Sequence, residues 1–132
     1  MIDYEKYIFN RVYEKVAPLC APKKFVSTII TEVPTAFPAA SLIEVDNTTV
    51  RGRQTSTPTE NYANITYRLD VYANSKREAR AVFNAADEAM VAMNFNRMGS
   101  PYQDNDRNMK IFRYVVRYEA AIDRDGNIYR RA

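Results

Sequence analysis

The sequence has no histidine among its 132 residues. That removes the side chain that most often exchanges protons near neutral pH, and with it the Ser-His-Asp and Cys-His arrangements of nucleophilic catalysis. Cys20 is the single cysteine, so no internal disulfide can form and the usual zinc-ligand sets cannot be built from one chain. We expect it as a buried, inert thiol. Only 3 glycines are present, each isolated, which excludes a phosphate-cradling P-loop and a dinucleotide fingerprint. No stretch approaches the run of about 18 apolar residues of a membrane-spanning helix. The opening Met1-Ile2-Asp3-Tyr4-Glu5-Lys6 lacks the basic, then apolar layout of a secretory signal. Synthesis and use in a cytoplasm, with no membrane partner, is the expectation.

What is present suits one folded unit spanning residues 1–132. The apolar share is 46% and the charged share 27%, values of globular chains with a single core. The net charge of +3 comes from basic residues mixed with acids, whereas nucleic-acid binders cluster their cations on one face.

Tyr4, Ile8, Val12 and Val16 recur at steps of four and predict a helix from Asp3 to Val16, capped by Asp3 and ended by Pro18 and Pro22. The β-branched run from Phe25 to Thr31 predicts a strand, and Pro34 and Pro38 bracket an extended connector. A second strand is predicted over Ala40–Asp46, with Ile43 and Val45 on its buried side and Glu44 and Asp46 on the other. Residues 47–60 are almost wholly polar and predict a projecting β-hairpin arm. From Asn61 to Asn74, Ala63, Ile65, Tyr67, Leu69, Val71 and Ala73 alternate with polar residues, a strand with one buried face. Ser75 and Glu78 have capping-box spacing ahead of the helical stripe Ala79, Val82, Phe83, Ala86, Met90 and Met93. Phe95–Gln103 predicts a short strand broken near Gly99-Ser100-Pro101, with a polar turn over 104–108. Phe112, Tyr114, Val116, Tyr118, Ala120 and Ile122 then share one strand face, and Asp125-Gly126 turns the chain so that Ile128-Tyr129 pairs back. The fold class is therefore α+β: a mainly antiparallel sheet of four to five strands, with both helices on its greasier face. Arg68, Asp70, Arg113, Arg117 and Glu119 lie on the opposite face.

Carboxylate pairs are the remaining candidates for chemistry. Glu44 with Asp46 and Asp104 with Asp106 have spacings compatible with acid/base work or metal binding. A solvated strand face and turn-forming side chains account for them more simply, so we assign no catalytic, cofactor or metal residues. Asp104-Asn105-Asp106-Arg107-Asn108 begins like a calcium loop, but Met109 and Val115 stand where the glycine and closing glutamate are required. Tyrosines beside arginines suggest a base-stacking platform. Strand alternation instead sends Tyr67, Tyr114 and Tyr118 to the core and leaves Tyr62, Tyr72 and Tyr129 as interface candidates.

In order of elements the chain resembles the tail-terminator (tail-completion, neck) proteins of tailed phages and prophages. The resemblance is carried by Pro34-Thr35-Ala36-Phe37-Pro38 running into Leu42-Ile43-Glu44-Val45-Asp46, by the polar arm, the long strand, the capped alanine-rich helix and the closing Ile128-Tyr129-Arg130-Arg131. It implies a structural virion protein with no enzymatic activity: a ring, typically of six copies, that caps the tail tube and joins it to the head connector or stopper while DNA passes through the lumen. It makes Arg51, Arg53, Gln54 and Thr55 of the arm, the charged sheet face, and the tail residues Arg130 and Arg131 candidates for contact with neighbours. Other neck or minor capsid proteins are the structural alternatives. A nucleic-acid module using Arg68, Arg113 and Arg117, and an enzyme working through carboxylates alone, are the alternatives of different class.

Overall fold

Apolar residues at helical spacing close the first turn of α1 (Glu5–Val16), burying Ile8, Val12 and Val16 completely. The computed structural model describes residues 3–20, 24–27, 37–49, 62–106 and 111–129, with the backbone alone at 49 and 99–106. Asp3 Oδ1 accepts the Glu5 amide at 3.3 Å, so the predicted capping side chain works one residue before the geometric cap, Tyr4. Pro18 falls in a single 3-10 turn over Ala17–Leu19 that ends the helix. In α2 (Lys76–Ala92), Ser75 Oγ accepts the Glu78 amide at 3.2 Å, and the predicted stripe from Ala79 to Met93 is buried.

Among the described residues the sheet has six strands: β1 (Phe25–Val26), β2 (Ala39–Thr49), β3 (Tyr62–Ala73), β4 (Asn96–Asp106), β5 (Ile111–Asp123) and β6 (Ile128–Tyr129). Their order is β1-β2-β3-β5-β4, with β6 on β5 beyond the end of β4. All pairs are antiparallel except β1 with β2. Both helices share one core cluster with the inward side chains of the sheet, as the alternation predicted. The β2–β3 pairing continues to Thr49 opposite Ala63, which forms the base of the predicted arm. The arm beyond it, the predicted strand beyond residue 27 and most of the proline-bracketed connector lie outside the described residues.

Two expectations are corrected. Leu42 and Ala40 are buried in β2, while Ile43 is half-buried and Val45 is 40% exposed. The strand enters with Ala40, Leu42 and Glu44 on the helix side, which places Ile43 on the open side, and a bulge follows: β2 spends two steps from Glu44 to Asp46 where β3 spends one from Tyr67 to Thr66. The extra residue, Val45, breaks the alternation. At Gly99-Ser100-Pro101 the pairing is interrupted as expected, but the strand is longer than predicted. β4 runs through this segment to Asp106, taking four steps from Met98 to Tyr102 against two in β5 from Arg117 to Val115. Asp104 to Asp106 therefore belong to a strand, not a turn.

The N-terminal helix is tied to the β5–β6 turn. The Tyr4 hydroxyl donates to the Arg124 carbonyl at 2.8 Å, and Gly126, at φ +86°, lies so close that a Cβ there would meet the Tyr4 ring at 2.9 Å. Both the backbone conformation and the close approach require glycine.

Candidate assembly surface

The face of the sheet turned away from the helices carries the predicted interface residues of β3, β5 and β6. Strand register sets them in rows. Ser41, Asp70 and Val115 form one row. Ile43, Arg68, Arg117 and Met98 form the next, followed by Asp46, Thr66, Glu119 and Asn96. Tyr72 stands opposite Arg113, whose guanidinium lies over its ring at 5.4 Å, and Tyr62 packs against Tyr129 with ring centroids 6.3 Å apart.

The centre of this face is enclosed. Asp70 is only 2% exposed. Its carboxylate accepts from Arg68 Nε at 3.1 Å and faces Arg113 Nη2 at 3.9 Å. Two arginines on adjacent strands thus hold one nearly buried acid, the arrangement that makes a buried carboxylate tolerable. Ser41, opposite Asp70 in register, has a buried hydroxyl oxygen with no hydrogen-bond partner among the described residues.

Arg117 is a different case. It is exposed, stands directly across from the like-charged Arg68, and joins no ion pair among the described residues. Beside it Met98 is 43% exposed. Tyr129, 46% exposed, donates its hydroxyl to Asp123 Oδ2 at 3.0 Å; desolvation pushes the Asp123 carboxyl up, but the bonds from the Asn127 amide and side chain, the Tyr129 hydroxyl and the Asp125 amide together hold it below its usual range. Of the other predicted contact residues, Arg51, Arg53, Gln54, Thr55, Arg130 and Arg131 lie outside the described residues.

The opposite face settles the tyrosine question. Tyr67 and Tyr118 are buried and Tyr114 nearly so, leaving none of the three as a stacking surface. Tyr118 donates to Asp87 Oδ1 at 2.6 Å and Arg80 Nε donates to the Tyr114 hydroxyl at 3.3 Å. Burial pushes the Tyr67 and Tyr118 hydroxyls far up, and their carboxylate partners add to the shift.

The Val45 bulge also separates the Glu44 and Asp46 pair, sending Glu44 to the Tyr67 side and Asp46 to the Thr66 side. Glu44 instead meets Asp3 and Glu5 at the start of α1, with carboxylate oxygens all within 4.8 Å of one another. This is the one such group among the described residues, and sequence spacing gave no sign of it because the strand and the helix end are some forty positions apart. Burial, then the charges of Glu5 and Asp3, push the Glu44 carboxyl up to about 7, against hydrogen bonds from Tyr67 and Asn47. Such oxygens suit a hard cation or a guanidinium. Two shallow grooves, of about 490 Å³ between the helices and about 440 Å³ beside the β5–β6 turn, are not lined by these carboxylates. Cys20, half-buried and packed against the core, has its thiol pushed up to about 11 by burial, which makes it a poor nucleophile. No described helix is long and apolar enough to cross a membrane.

No protein-family model matches the chain, and no curated protein matches it. Among solved structures it is similar to a chain described as "Virion of native gene transfer agent (GTA) particle", with a TM-score of 0.62 and 15% sequence identity, over 91% of this chain and 94% of that one. At that identity the likeness speaks for the fold, which the two chains share along nearly their whole lengths.

Proposed function

We propose that this protein is a structural subunit of a tailed-phage-type virion and, within it, a tail-terminator-like ring component that acts without catalysis. The chain folds as one unit over residues 1–132, and copies of it, six in the ring we favour, cap the tail tube and join it to the head connector or stopper. DNA passes through the lumen without being read. The supporting observation is the end-to-end likeness to a chain of a gene transfer agent virion particle, a match in which neither chain has a large part left over. The sheet face fits the role. It combines tyrosines, a neutralised arginine–aspartate centre and an arginine with no ion pair among the described residues, the mixture of aromatic and guanidinium groups that protein interfaces favour.

The same charge distribution disfavours the nucleic-acid alternative. Arg68 and Arg113 are committed to Asp70, which leaves Arg117 as the one of the three with no ion pair among the described residues, and too little charge for phosphate tracking. Light scattering of the purified protein, alone and with isolated tail tubes, tests the proposal. A ring-sized particle is expected in at least one condition, along with tubes of uncontrolled length or unjoined heads when the gene is removed. Tubes of ordinary length that still join heads in its absence end the terminator reading.

A further inference from the structure

A closed ring of identical subunits needs two different, mutually complementary patches on each copy. Arg117 supplies a cation with no ion pair among the described residues, on the open sheet face, and its cross-strand neighbour Arg68 repels it. On the other side of the sheet, one register step away, Glu44 pairs with Tyr67 and gathers with Asp3 and Glu5. No lysine or arginine among the described residues forms an ion pair with any of those three. Each patch also carries an exposed aliphatic side chain, Met98 beside Arg117 and Val45 beside Glu44. The surplus charges are opposite in sign, lie on opposite faces, and are each flanked by apolar surface.

Building on the ring reading above, we propose that the open sheet face of one copy docks onto a second copy through Arg117, whose guanidinium enters the carboxylates of Asp3, Glu5 and Glu44 while Met98 packs beside Val45. The contact is head-to-tail, because the two patches lie on different sides of the same subunit. A guanidinium matches carboxylates in pairs of parallel hydrogen bonds and relieves the repulsion in both patches at once.

The test uses the full chain carrying Arg117→Lys, which keeps the charge and supplies an amine. Equal parts of isotopically light and heavy protein are treated with a carbodiimide and digested, and the cross-linked peptides are identified by mass. Mixed-isotope peptides joining position 117 to Asp3, Glu5 or Glu44 are expected. Arg117→Glu and Glu5→Arg should each weaken association about tenfold or more, and their combination should recover most of it. Absence of the mixed-isotope link overturns the docking proposal. Light scattering on the same samples separates the two ideas: rings without that link leave the ring reading standing, whereas monomers both alone and with tail tubes remove both.

Discussion

Successive residues of β3 meet two different surroundings. On the helix side, Ala63, Ile65, Tyr67, Leu69, Val71 and Ala73 are at most 1% exposed and packed in one cluster. On the other side, Tyr62, Asn64, Thr66, Arg68 and Tyr72 are half-buried around the nearly enclosed Asp70. The first face is held by close packing, where the loss of one side chain leaves a cavity that neighbours fill poorly. The second is held by a few polar contacts of fixed geometry, so its residues can be changed one at a time without collapsing the fold. A surface that must meet other molecules has to be of the second kind.

The contrast can be attacked from both sides. On the packed face, Leu69→Ala should cost about 2–5 kcal/mol in urea unfolding; a loss below about 1 kcal/mol would mean that this side is not the core. On the open face, Asp70→Asn leaves Arg68 and Arg113 facing each other without their acid and should cost about 1–3 kcal/mol, a penalty that added salt reduces by screening the repulsion. An unchanged midpoint would show that the two arginines are satisfied elsewhere.

A smaller effect concerns Glu44, whose carboxyl is raised to about 7 from an ordinary 4.5. Below about pH 4.5 the group is protonated whether the chain is folded or not. Between there and about 7 the unfolded chain ionises while the folded one keeps its proton, so stability falls as pH rises through that window. Glu44→Gln should therefore match the parent at pH 4 and exceed it at pH 8, by on the order of 1 kcal/mol once solvent screening of this half-exposed group is allowed for. Parallel pH–stability curves for the two proteins would rule this out. Smallest of all, Arg117→Ser should move stability by less than about 0.5 kcal/mol while weakening self-association, which shows that a residue of the open face contributes to assembly and not to folding.

Legibility in the sequence followed the regularity of the local pattern. β3, α2 and β5 keep one period over most of their length, and their buried faces were predicted except that Ala89, Ile111 and Asp70 are buried too and Phe112 is only half-buried. β2 misled because Ile43 and Val45 are both aliphatic and two apart, which looks like a buried face, whereas Ala40 and Leu42 set the buried phase and a bulge follows at Val45. A bulge leaves no compositional mark of its own. β4 misled for the opposite reason, since Gly99-Ser100-Pro101 is strong turn chemistry that the strand absorbs as a register shift. The open face was legible as a row of residue types, but the enclosure of Asp70 depends on two arginines from adjacent strands. The meeting of Asp3 and Glu5 with Glu44 depends on where α1 lands on the sheet, which no local spacing encodes.

The residue inserted at Val45 also acts at a distance. A bulge coils its strand more tightly and bends it, so it sets the heading of the β2–β3 ribbon as far as Thr49 and Ala63. Removing that residue would turn the pairing into a regular ladder, with Asp46 still opposite Thr66 and Asn47 still opposite Ile65, so it would straighten the ribbon without changing which of its side chains face the core.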